Sequence, residues 1–254
     1  MALCLLGPLF FLSYIFTILS PLPLLYLHSG NPNARQGRLW LLVAAIIGTG
    51  VSVAIKGLGG GLAFLALSVI PSLVLGEVLK MRHGPVRAIG AAFLATIAAT
   101  LIAAYTTAYV GGFELGPKLR TTVEAQVKMV TDRLLSQNPS EIPTDTAEDL
   151  KSLAKDPALI YAELPGIVAT ALLLLCTLPC LALIRWNPKG FLRRTGISRD
   201  YLRKWRSPEW MVWPALFCGV FLIFPMDPFS LVANNLLKPI LLIYFFQGMS
   251  ILAY

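Results

Sequence analysis

Few side chains in this sequence could do chemistry, and nearly all of them border long apolar runs. Asn234, Asn235 and Gln247 are the polar candidates, and Glu163 stands just before Leu164-Pro165-Gly166. A polar group inside an apolar run needs a partner, because leaving it unpaired costs on the order of several kcal/mol. These four are therefore read as ligand-binding candidates, or as glue between helices. Asn235 and Gln247 are twelve residues apart, about a third of a turn out of line on a helix, so they need not share a face. The remaining ionisable groups are Glu77, Lys56, Asp227 and Lys238. Each lies within a turn or two of the end of an apolar run, where snorkelling or a local ion pair accounts for it. No charge falls at the middle of a run, which argues against a proton relay through the core.

Catalytic constellations are missing. The two histidines, His28 and His83, are read as loop residues far apart in sequence. There is no GxxxxGK phosphate loop, no G-x-S-x-G and no H-E-x-x-H. Cys176 and Cys180 would share one helix face. With no histidine nearby they read as small buried hydrophobes rather than metal ligands. No disulfide framework is implied. The sequence thus predicts neither an enzyme, nor a metal site, nor a cofactor.

The elements that must carry these residues follow from composition. Of 254 residues, 56% are apolar and 13% charged, where a soluble domain carries about a quarter charged. Mean hydropathy is +0.71. Such a surface faces hydrocarbon, and the expected fold is an all-α polytopic transmembrane helix bundle, a single domain over 1–254. A bilayer core needs about 20 apolar residues per helix. Spans are expected at about Leu5–Leu27, Leu39–Ile55, Leu62–Leu79, Ala88–Val110, Leu159–Ile184, Met211–Phe224 and Leu231–Tyr254. That is about seven, within a range of six to eight. A Gly57-Leu58-Gly59-Gly60-Gly61 turn separates the second from the third. The first twenty residues have no basic start or small-residue cleavage site, so they are not read as a cleaved leader.

Loop charges orient the bundle. The loops after spans one, three and five hold thirteen Lys/Arg, from Arg35 and Arg38 to the eight between Arg185 and Arg206. The alternate short loops hold only Lys56 and Lys238. By the positive-inside rule the first group is cytoplasmic. The expectation is a multi-pass protein of the bacterial cytoplasmic membrane with its N-terminus outside. Residues 111–158 then form an extracytoplasmic helical insertion, and 185–209 a basic cytoplasmic loop. In the insertion, Leu119, Val123, Val127, Val130 and Leu134 make one apolar stripe. Thr146 with Asp149 could cap a second short helix. This amphipathic hairpin would lie on the membrane, cap the bundle, or form a lid over a ligand site.

Two surfaces suit partners. Ala91, Ala95, Ala99 and Ala103 form a small-residue ladder that allows close helix approach in lipid. It serves either packing inside the bundle or docking of another membrane subunit. Arg203, Trp205, Arg206 and Trp213, with Lys204 and Trp210, combine headgroup-level aromatics with cations. They fit anionic lipid headgroups or a cytoplasmic protein. Nucleic acid is not an expected partner.

Pro21-Leu22-Pro23-Leu24-Leu25, then Trp205-Arg206-x-Pro208 leading to Trp213, then Gln247-Gly248, resemble in type and order the YybS-like family of uncharacterised bacterial membrane proteins (domain of unknown function 2232). The similarity extends over nearly the whole chain. That family is distantly similar to the substrate-binding S components of energy-coupling-factor vitamin transporters. The resemblance implies a small helical bundle that binds a small molecule from outside and docks on a membrane partner. Its members usually have one more span at the start and continue beyond the Gln-Gly span, so the seven spans are expected to belong to a longer bundle. S components dock through an alanine ladder on their first span, whereas the ladder here is on the fourth. The functional expectation is a small-molecule-binding transport component. Its rival is a membrane scaffold or assembly protein that binds partners through the basic loop and the ladder.

Overall fold

A computed structural model describes residues 2–13, 16–31, 33–137, 157–186, 207–224 and 226–252. The described residues are helical and contain no strand, as hydropathy alone demands of a chain that must satisfy its backbone in lipid. Among the described residues, four apolar helical stretches are long enough to cross a bilayer: Arg35–Lys80, Pro85–Gly111, Ile160–Trp186 and Phe229–Met249.

The first 30 residues depart from expectation. No single helix runs from Leu5 to Leu27. Instead α1 (Ala2–Leu12) and α2 (Pro21–Gly30) are joined through a 3-10 turn at Thr17–Leu19. The chain doubles back between them. Room for a Cβ on Gly7 ends 3.2 Å away on Leu24, and the Thr17 hydroxyl donates back to the Phe11 carbonyl at 3.2 Å. In one straight helix, Gly7 and Leu24 would stand about 25 Å apart. Each half is about 15 Å long, half the hydrocarbon thickness. The expectation of an outside N-terminus assumed one pass here, and that premise is gone. Pro21 and Pro23 explain the restart. Proline suits the first turn of a helix, where its missing N–H would be unpaired anyway, and the new helix begins at Pro21.

α3 (Ala34–Phe64) is a hairpin rather than a rod. It breaks at Gly57, whose φ of 71° and ψ of −173° no helix uses, a conformation that glycine adopts readily. The two arms lie antiparallel: Gly48 abuts the Phe64 ring, and Gly61 abuts Val53 and Thr49. The expected split between spans two and three is therefore present. Its turn is Gly57 alone, and Leu58–Gly61 are helical. The returning arm continues through a π-helical stretch, Leu65–Val69, into α4 (Ile70–Lys80).

α5 (Pro85–Gly111) packs on α4, and α6 (Leu115–Gln137) follows as the first helix of the insertion. The α6 stripe is only partly covered: Val123 and Val127 are half-buried, while Val130 is 53% exposed. The proposed second helix at Thr146–Asp149 and the side chain of Leu134 lie outside the described residues. α7 (Pro157–Trp186) returns through the bundle. After a 3-10 turn at Glu209–Met211 come α8 (Val212–Ile223) and α9 (Phe229–Leu252). Most of the basic loop, including Arg203, Trp205 and Arg206, also lies outside the described residues.

The core centres on α2. Leu25 joins Leu75, Leu79, Ala88, Ala92, Cys176, Cys180 and Leu183 in one buried cluster. Leu24 joins Phe11, Leu41, Ala44 and Phe64 in another. α2 is too short to cross a membrane, and α1, α3, α4 and α7 surround it. Irregular backbone at membrane depth is tolerated in such a setting, where protein rather than lipid receives its polar groups.

Candidate functional site

The polar groups gather in two places, one at each end of the bundle. The first surrounds α2. At its start the Ser20 and Ser68 hydroxyls are 2.7 Å apart. The single Ser72 hydroxyl proton is shared between the carbonyls of Pro21, 2.8 Å away, and Ser68, 2.6 Å away. All three serines are fully buried. Through Ser72 the π-helical stretch and α4 are tied to the first residue of α2.

At the end of α2 stands His28, fully buried. This residue corrects the sequence reading, which put it in a loop. Two glycines make its room. A Cβ on Gly37 would meet the His28 carbonyl, and one on Gly76 would meet its ring. His28 Nε2 is 2.8 Å from Glu77 Oε1 and 3.0 Å from Lys80 Nζ. Arg38 grips the same carboxylate with two donors, Nε to Oε1 at 3.1 Å and Nη2 to Oε2 at 2.6 Å. Lys80 Nζ is 3.5 Å from Glu77 Oε1. Glu77 is thus the hub of a cluster of four charged or titratable groups drawn from α2, α3 and α4. The i, i+3 spacing of Glu77 and Lys80 was visible in the sequence. The partnership with His28 was not, because it needs α2 to end where it does.

The second place joins α7 and α9. Asn234 donates from Nδ2 to Glu163 Oε1 at 3.1 Å. Lys238 Nζ reaches Asn234 Oδ1 at 3.2 Å and stands 3.8 Å from Glu163 Oε2. Two of the four ligand-binding candidates, Glu163 and Asn234, therefore meet, joined by Lys238. Asn235, however, is taken up by backbone. Its Oδ1 accepts from the Gly166 N–H at 2.6 Å, and its Nδ2 donates to the Ala162 carbonyl at 2.8 Å and to its own Leu231 carbonyl at 2.9 Å. Its carboxamide spans the Ala162–Gly166 rung of α7, one residue past Pro165. Proline weakens the ladder there by withholding a donor. Gly166 is required for the approach, since a Cβ would lie 2.7 Å from Asn235 main-chain atoms.

Gln247 is elsewhere. It accepts from the Ser207 hydroxyl at 2.6 Å, about 18 Å along α9 from Asn235. It ties α9 to the end of the basic loop rather than joining the Glu163 cluster.

The alanine ladder is half-buried throughout, at Ala91, Ala95, Ala99 and Ala103. Its line ends at Thr107, whose Cγ2 lies 3.0 Å from a Cβ built on Gly59. The fully buried stripe lies one residue over, at Ala88, Ala92 and Thr96. That stripe meets α7, with Thr96 Oγ1 3.8 Å from Cys176 Sγ. Cys176 and Cys180 are both buried in this contact. Trp213 is 73% exposed, as suits a ring facing lipid or headgroups.

A family model described as Predicted membrane protein (DUF2232) matches residues 1–254. No curated protein and no solved structure matches the chain, so the expected similarity to S components gains no support from them.

Proposed function

The chain belongs to the DUF2232 family of predicted membrane proteins, and from that premise we propose that it is a membrane transport component for a small polar solute. One observation carries the reading: the broken helix pair α1–α2, in which α2 is buried and its ends meet the polar groups Ser20, Ser68, Ser72 and His28. Discontinuous helices at membrane depth are where transporters bind solutes and ions. Ionisable side chains there are costly and mark a function by default. A bundle built only to anchor or scaffold has no need of either.

In this reading Glu163, Asn234 and Lys238 are the first polar groups a solute meets from outside. Asn235 holds the helices beneath them, and Gln247 fixes the other end of α9. The protein acts by binding and carriage rather than by catalysis. It sits in the bacterial cytoplasmic membrane, with the ends bearing Arg38, Lys80 and the 185–209 loop inside. Arg203, Trp205, Arg206 and Trp213 would face anionic lipid, and the Ala91–Ala103 ladder a membrane subunit.

Affinity purification in detergent, followed by thermal shift against a panel of small polar metabolites, tests this. A ligand that raises the melting temperature of the native protein but not of Ser68→Ala or Ser72→Ala supports it. So does a co-purifying ATPase with a transmembrane coupling subunit. Absence of any ligand, together with a stable partner that is not a transporter, overturns it in favour of a scaffold.

A further inference from the structure

His28 Nε2 has one bonding direction and two suitors. Glu77 Oε1, at 2.8 Å, can only accept a hydrogen bond from it. The Lys80 ammonium, at 3.0 Å, can only donate one to it. The two arrangements exclude each other. A neutral ring with a bare Nε2 accepts from Lys80. A ring carrying a proton on Nε2 donates to Glu77. We propose that His28 is a proton-binding site, and that its proton decides which residue of α4 holds the re-entrant helix α2. This rests on the transport reading above and names the coupling ion as the proton.

The surroundings suit the role. His28 is fully buried, yet Arg38, which shares the Glu77 carboxylate with it, is 61% exposed. When His28 takes up a proton from that side, Nε2–H donates to Glu77 and the ring gains a positive charge. Lys80 gives up its bond to the ring and keeps its ion pair with Glu77. On release, the proton returns to water and Lys80 donates to Nε2 again. Among the described residues, the charged groups at the ring are Glu77 and Lys80 from α4, and Arg38 from α3 reaches it through Glu77. α1 offers no titratable side chain between Leu5 and Leu12. α7 brings apolar residues with Cys176 and Cys180 to the core around α2, while its Arg185 is exposed. An unperturbed histidine is the side chain whose charge changes between about pH 5 and 8.

The test uses the full chain in lipid nanodiscs, labelled with ¹⁵N-histidine, with no solute present. The sequence has two histidines, so His28→Asn assigns the signals and exposed His83 serves as reference. At high pH, Nε2 of His28 should be unprotonated. At low pH both ring nitrogens should be protonated. Glu77→Gln removes the negative charge beside the ring and should move the midpoint down by about one pH unit, a tenfold loss of proton affinity. Lys80→Met removes the competing cation and should move it up by a similar amount. Should Glu77→Gln fail to fold, Lys80→Met alone decides. A proton on Nε2 at every pH, or a midpoint unmoved by the variants, overturns the proposal. Because no solute takes part, an intact titration without solute binding would remove the transport reading alone. Solute binding without titration would remove the proton site alone.

Discussion

Asn235 completes the backbone of a helix to which it does not belong. Its carboxamide joins the Gly166 N–H to the Ala162 carbonyl in α7, where Pro165 interrupts the ladder. α7 and α9 are thereby locked at one height, and the Glu163–Asn234–Lys238 cluster is built on that lock. Polar contacts between membrane helices average about 0.6 kcal/mol and reach about 1.7. Asn235 makes two bonds across the interface, so Asn235→Leu should destabilise by about 1–2 kcal/mol. Gly166→Ala should cost more, since its Cβ would collide with backbone rather than with a movable side-chain end. Unfolding midpoints in mixed micelles check both.

Gly57 should resist replacement because of its backbone rather than its neighbours. Its φ of 71° is one that a residue with a Cβ adopts only under strain, at about 1–3 kcal/mol. Gly57→Ala should lower stability by that amount. Gly90, helical and with open space around it, is the control. Gly90→Ala should be neutral or stabilise by up to about 1 kcal/mol. The same unfolding measurement reads the pair.

Hydropathy made most of this fold legible. Runs of apolar residues told where helices lie, because lipid leaves the backbone no other choice. The stripe of α6 and the shared face of Cys176 and Cys180 followed from helical period. Direction was not legible. Leu5–Leu27 is apolar almost throughout, and hydropathy is blind to a chain that turns back inside such a run. Pro21 and Pro23 marked the place, yet a kinked single span has the same sequence signature. His28 was misread for that reason: counted from a full span, it falls in a loop. Counted from a half-helix, it falls in the core. The pairing of Asn235 with Gly166 was hidden because it is a contact between residues 69 apart.

Arg38 and Glu77 should differ in how much they matter. Arg38 is mostly exposed, and exposed ion pairs contribute about 0–1 kcal/mol. Arg38→Gln should therefore cost less than about 1 kcal/mol, and the loss should shrink in high salt. Glu77→Ala removes the partner of a buried histidine and leaves three nitrogen groups facing one another. Losing a buried partner costs about 1–3 kcal/mol, and salt should change that little. Denaturation of both variants at two ionic strengths separates them. Equal losses would put Glu77 on the surface with Arg38.

Orientation is open to direct labelling. Single cysteines at Asn33, Ser140 and Ser198, in a background without native cysteine, can be probed with a membrane-impermeant thiol reagent. Asn33 and Ser198 should react from the cytoplasmic side and Ser140 from the outside. The reverse pattern would overturn the charge argument.

The doubled-back pair α1–α2 is the premise of the polar site, the transport reading and the proton switch alike. A disulfide test reaches it most directly. With the four native cysteines replaced, Gly7→Cys and Leu24→Cys are introduced together and the membranes are oxidised. The account predicts rapid, near-complete cross-linking within one chain, because Leu24 touches the space a Cβ on Gly7 would occupy. No cross-link, with spin labels at the same sites reporting the roughly 25 Å of one continuous helix, would contradict it.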